Sequence, residues 1–152
     1  MVSATLVMPN GGGPPPDSAQ ASKNREPDKQ ARKRTVFIVD DERLVADTLA
    51  EILNDSGFEA IPVYSGQAAL ELLDKGAPDI LITDVVMPGV NGIDVAKTFM
   101  TLSPKTRVVL LSGQAETRDL LRQAEREGAS FELWAKPVPP DVVIKRLNQQ
   151  PN

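Results

Sequence analysis

Four short stretches of the chain set chemically competent side chains where an apolar run stops: VDDE at 39–42, DVVMPGVNG at 84–92, LSG at 111–113 and AKP at 135–137. Besides Glu42, they supply three carboxylates (Asp40, Asp41, Asp84), one hydroxyl (Ser112) and one ammonium group (Lys136). Ile80, Leu81 and Ile82 form the continuous apolar run of a strand covered on both faces, as in parallel sheets. Asp84 follows that run, and a carboxylate at the carboxyl end of such a strand lies where open α/β sheets bind ligands. It is either a turn residue or a reactive one. Carboxylates gathered in one crevice repel, since two unit charges ~4 Å apart cost about 4 kcal/mol at an effective dielectric near 20. Lys136 offsets one charge, and a divalent cation is the natural second. Oxygen-only ligands point to Mg²⁺.

The remaining composition narrows the chemistry. No histidine is present, which removes the commonest general base, the commonest zinc ligand and any phosphohistidine on this chain. No cysteine is present either, so neither disulfides nor thiol chemistry are available, in keeping with a reducing compartment. With no apolar run near the roughly 20 residues needed to span a bilayer, and no signal-peptide pattern at the start, the expected location is the cytoplasm and no membrane partner is expected.

Residues 1–34, rich in Gly, Pro, Ser, Gln and charge, are predicted to be a disordered tail with a basic end. The tail carries six basic and three acidic residues, the remainder eleven and eighteen. The predicted folded domain, 35–149, is therefore acidic and offers no nucleic-acid surface, and 150–152 form a short terminal tail.

The elements that must position the polar residues follow from periodicity. Strands are expected at 36–40, 59–64, 79–83, 107–112 and 131–136. Helices are expected from Leu44 to a stop at Ser56-Gly57, with Leu44, Val45, Thr48, Leu49, Ile52 and Leu53 at helical spacing, and at 66–75, 92–102, 116–127 and 140–148. Ile93, Ala96, Phe99 and Met100 mark one side of the third helix. The fourth has only Leu120, Leu121 and Ala124 as apolar anchors. Pro62 belongs at a sheet edge because it cannot donate a ladder hydrogen bond. Alternation of this kind predicts a doubly wound five-stranded parallel sheet with helices on both faces, flavodoxin-like, in strand order 2-1-3-4-5. That order brings Asp40, Asp41, Asp84, Ser112 and Lys136 to one crevice.

The acidic pair in VDDE, the motif DVVMPGVNG, the hydroxyl in LSG and the Lys-Pro pair in AKP resemble, in order and spacing, the receiver domain of two-component response regulators, over residues 35–148 or so. The resemblance implies that Asp84 is the phosphoacceptor, that Asp40, Asp41, Asp84 and the carbonyl of Val86 bind Mg²⁺, that Ser112 hydrogen-bonds the phosphoryl group and that Lys136 pairs with it. It also implies a cis Lys136-Pro137 bond. Phosphoryl transfer needs an in-line nucleophile and fixed donors around the phosphoryl oxygens. Asp84 can be the nucleophile, and the N–H groups of Val85 and Gly113 are candidate donors.

Each piece has an ordinary reading: Asp41 as a helix cap, Val-Met-Pro-Gly as a turn, Ser112-Gly113 as a strand exit, Lys136 as a solvated lysine. Four such coincidences at adjacent strand ends favour the joint reading. A flavodoxin would need phosphate donors where VDDERL offers acid. A dehalogenase-type phosphatase would need a second acid where Val86 stands. The rival from another class is a degenerate receiver acting only as a docking module.

The family often has Tyr or Phe three residues before the lysine, where this chain has Leu133 beside Trp134, so the alternatives are Trp134 or Phe131 in that role, or signalling by loop movement alone. The resemblance implies partners: a sensor histidine kinase or phosphotransfer protein upstream, and downstream a protein target, or a second copy of the chain, through residues 116–148. Sixteen residues after Lys136 are too few for an output domain, so a stand-alone receiver without a DNA-binding domain is expected. Its activity is limited to self-directed phosphotransfer and autodephosphorylation, so it is not expected to be an enzyme.

Overall fold

A computed structural model of the protein describes residues 32–113, 117–128 and 131–151. Strands and helices alternate in the order β1 (Thr35–Val39), α1 (Arg43–Asp55), β2 (Glu59–Val63), α2 (Gly66–Lys75), β3 (Ile80–Asp84), α3 (Gly92–Leu102), β4 (Arg107–Ser112), α4 (Thr117–Arg126), β5 (Glu132–Ala135) and α5 (Pro140–Leu147). The five strands form one parallel sheet in the order β2-β1-β3-β4-β5, as the sequence predicts. Pro62 lies on the edge strand β2.

Side chains alternate across each strand, and the sheet accordingly has a core on each face. Val36, Ile38, Ile80, Ile82, Val109 and Trp134 pack with residues of α1 and α5, whereas Phe37, Val39, Leu81, Val108 and Leu110 pack with residues of α2, α3 and α4. Phe37 and Phe99 meet edge to face across that second core, with ring centroids 6.3 Å apart.

The structure departs from the sequence reading in three places. Arg34, assigned to the tail, belongs to the fold. Its guanidinium donates to the carbonyl of Leu147 at 2.8 Å and to the side chain of Asn148, and lies over the Phe58 ring. The last carbonyls of a helix attract cations, which explains the contact. Arg32 and Lys33 are described as well, and the remainder of the expected tail, 1–31, lies outside the described residues.

In α1 the buried residues are Ala46, Leu49, Ala50 and Leu53, while Leu44 is 78% exposed and Val45 is also exposed. The helix carries more apolar residues than one face can bury, and the small alanines, not the larger Leu44 and Val45, face the sheet. In α3 the buried set is Ile93, Val95, Ala96 and Phe99, with Met100 turned outward. Among the described residues no helix is long and apolar enough to cross a membrane.

Candidate functional site

The sheet register delivers the site. Asp84 ends β3 opposite Leu111, so Ser112 is one residue beyond it on the neighbouring strand. Ser112 is in turn paired with Ala135 on β5, and the Lys136 N–H donates to the Ser112 carbonyl at 2.9 Å. Lys136 is thereby aimed inward, and its Nζ lies 3.1 Å from Asp84 Oδ2. The Lys136-Pro137 bond is cis.

On the other side, Asp40 follows β1, where its N–H donates to the Val63 carbonyl at 2.9 Å. One carboxylate oxygen from each of Asp40, Asp41 and Asp84 lies within 4.8 Å of the others, Asp40 being buried and Asp41 exposed. Asp40 Oδ1 accepts from the Glu42 N–H at 2.9 Å. Burial raises the Asp40 carboxyl above its ordinary value, and the Asp84 charge adds to this, while the Glu42 hydrogen bond and Lys136 oppose it. The N-cap of α1 is Glu42, with no side-chain cap. Asp41 is therefore not a capping residue, and Lys136 is not a solvated one.

The loop after Asp84 is held by its own chemistry. Val85 and Met87 are buried and Val86 between them is exposed. Gly89 has φ +76°, the left-handed region that glycine tolerates. Gly92 packs against the backbone of Asp84 so closely that a Cβ there would lie 1.9 Å from the Asp84 carbonyl oxygen. Its N–H closes the loop onto the Val85 carbonyl at 2.8 Å, and Asn91 caps α3 by accepting from the Asp94 N–H at 2.9 Å. The Val85 N–H, a candidate donor to a bound anion, instead donates to the Leu111 carbonyl at 3.2 Å, because the β3–β4 ladder continues one residue past Asp84.

Three carboxylates and one ammonium group leave two negative charges in the crevice, the charge of one divalent cation. The donor set is all oxygen, which suits a hard cation. Taken with a nucleophilic carboxylate and an adjacent lysine, this is the equipment of an acyl-phosphate site. The profile of the response regulator receiver domain matches residues 36–148.

The chain belongs to the response regulator receiver domain family. The receiver is 31% identical over 117 residues to the chemotaxis protein CheY of Thermotoga maritima, covering 76% of this chain and 96% of that protein. It is 28% identical over 108 residues to the sporulation initiation phosphotransferase F of Bacillus subtilis, with 71% and 86% coverage. Similarity to the transcriptional regulatory protein CreB of Escherichia coli is 31% over 116 residues, and the receiver spans 50% of that protein's length. A response regulator receiver domain protein from Clostridium thermocellum has the same fold, with a TM-score of 0.66, 26% identity, and coverage of 76% of this chain and 91% of that one.

Two features near the site escaped the sequence reading. One is an apolar groove beside Lys136, formed by Leu44, Val45 and Thr48 of α1 with Pro137, Val138 and Pro140. Its signal was the excess of apolar positions on α1. The other is Thr117, 2% exposed, whose Oγ1 lies 2.6 Å from Ser112 Oγ. A threonine at a helix start reads as an ordinary terminus, and nothing in the one-dimensional pattern pairs it with Ser112.

Proposed function

We propose that this receiver accepts a phosphoryl group on Asp84 from the phosphohistidine of a sensor histidine kinase or phosphotransfer protein, and signals by a change of conformation. The observation that carries this is the ion pair of Asp84 with Lys136, flanked by Asp40 and Asp41. An Asp84 carboxylate oxygen attacks phosphorus, the P–N bond to the partner's imidazole breaks, and an acyl phosphate forms. Lys136 orients the carboxylate before transfer and offers its charge to the phosphoryl oxygens afterwards. Ser112 donates its hydroxyl proton to one of them, and the Gly113 N–H, at the same strand exit, acts beside it.

Asp40, Asp41, Asp84 and the Val86 carbonyl would hold Mg²⁺, which when bound neutralises charge on the transferring group. The apolar groove between α1 and the loop after Lys136 opens beside the site, which suits a partner that must bring its imidazole to Asp84. Output goes to a protein target through α4, β5 and α5, where the edge strand exposes Leu133. The working compartment is the cytoplasm.

Incubation with acetyl phosphate tests the reading. A single phosphoryl adduct by mass spectrometry, dependent on Mg²⁺ and lost in Asp84→Asn, is expected. No adduct under any condition would leave a degenerate docking module as the better description.

A further inference from the structure

Leu133 occupies the position where related receivers often carry an aromatic ring, and it is 45% exposed with no polar group to offer. Its neighbour Trp134 is on the opposite face of the sheet, packed with α1 and α5, where its Nε1–H donates to Glu132 at 3.1 Å and the Arg146 guanidinium covers its ring. Neither side chain can follow the Ser112 hydroxyl. Thr117 can. It is the first residue of α4, it is buried, and its hydroxyl is already hydrogen-bonded to Ser112 at 2.6 Å.

We propose that Thr117 is a positioning residue that transmits the state of the Ser112 hydroxyl to α4, taking the place of the missing aromatic ring. The proposal rests on the phosphoacceptor reading of Asp84. A hydroxyl has one proton and two lone pairs. Before phosphorylation either hydroxyl of the pair can be the donor. Once Ser112 commits its proton to a phosphoryl oxygen, the pair survives only with Thr117 donating to Ser112 Oγ. The result is a directed chain from Thr117 through Ser112 to the phosphoryl group, in which each hydrogen bond polarises the next.

Phosphorylation thus fixes the orientation of the Thr117 side chain and draws the start of α4 toward the site. The helix is built to respond. Its other buried residue is Ala124, Leu120 and Leu121 are half-buried, and beyond its last turn Glu127 reaches Lys97 of α3 by an exposed ion pair that contributes little. An element so thinly packed can be shifted by one strong polar contact at its end.

The test uses the full chain with Mg²⁺ and beryllofluoride, a phosphoryl mimic, reading bound fluorine by ¹⁹F NMR and the amide resonances of residues 117–126 by ¹⁵N NMR. Thr117→Val removes the hydroxyl and keeps the shape, Thr117→Ser keeps the hydroxyl, and Thr117→Ala stands in for the valine variant if that one does not fold. The wild type and Thr117→Ser should show the same mimic-induced shifts in α4, and Thr117→Val should bind the mimic with those shifts reduced at least threefold. Bound mimic with undiminished α4 shifts in Thr117→Val overturns the role of Thr117 alone. Absence of bound fluorine in the wild type overturns the phosphoacceptor reading and this inference with it.

Discussion

Lys136 Nζ stands 3.1 Å from Asp84 Oδ2, on a residue held by a strand-end hydrogen bond from its N–H to the Ser112 carbonyl. The lysine is the positive charge that the carboxylate trio faces in the crevice. Replacing it by methionine raises the net negative charge from two to three. A cation held there should bind more tightly, by about 1–2 kcal/mol for a +2/+1 repulsion removed at roughly 5 Å in a largely solvated site. Isothermal titration of Lys136→Met with Mg²⁺ should show about tenfold tighter binding that weakens with added salt. Unchanged or weaker binding would mean that Lys136 does not share the cation's field.

Asp40 gives a pH-dependent prediction for metal-free protein. Its folded-state pKa is raised by burial and by Asp84. A carboxyl of this kind contributes nothing below its unfolded pKa, where both states are protonated. As the pH rises through the interval up to its folded pKa, the unfolded state ionises first and stability is lost. Asp40→Asn should therefore melt higher than the wild type at neutral pH in chelator, with the gap closing as the pH falls toward the ordinary carboxylate range. Adding Mg²⁺ should stabilise the wild type more than the variant, which keeps Asp41 and Asp84 but loses one carboxylate. A variant less stable than the wild type in chelator at neutral pH would contradict the sign.

Gly92→Ala tests the loop. The added methyl would meet the Asp84 carbonyl oxygen at 1.9 Å, and backbone cannot yield as a flexible side chain can. A loss of about 3 kcal/mol or more in urea unfolding is expected, at the upper end of overpacking costs, together with weakened Mg²⁺ binding. Wild-type stability would show that the loop relaxes freely.

Arg107 and Glu132 pair across β4 and β5 through two hydrogen bonds, 2.8 and 3.0 Å, and Trp134 donates to the same carboxylate. Both side chains are largely covered. Glu132→Ala should cost about 2–3 kcal/mol, the range for lost hydrogen bonds to charged groups that leave a partner unsatisfied, while Asp84 still takes a phosphoryl group. Loss of phosphorylation in folded Glu132→Ala would show that this end of the sheet is coupled to the site.

Much of this was legible in one dimension because parallel strands buried on both faces are apolar throughout and end abruptly. VFIV, ILIT and RVVLLS announce their own boundaries, and the first polar residue after each run marks the crevice. Pro62 set the sheet edge. The cases that failed share a cause, since apolar content says that a helix has a core face but not which residues occupy it. Leu44 and Met100 fall on the apolar helical pattern, yet Ala46, Ala50 and Val95 are buried where these two are exposed. Arg34 and Thr117 were missed because their partners, Leu147 and Ser112, are fixed by tertiary contact and not by local pattern. The Val85 N–H was assigned to the site because the sequence cannot show how far a strand ladder runs.

The central claim is that Asp84 forms an acyl phosphate, and reductive trapping tests it most directly. Protein treated with acetyl phosphate and Mg²⁺ is reduced with borohydride, which converts an aspartyl phosphate to homoserine, and is then mapped by peptide mass spectrometry. Homoserine at position 84, absent when Mg²⁺ is withheld, is the predicted result. Homoserine at 40 or 41, or none in protein that carries the phosphoryl adduct, would contradict it.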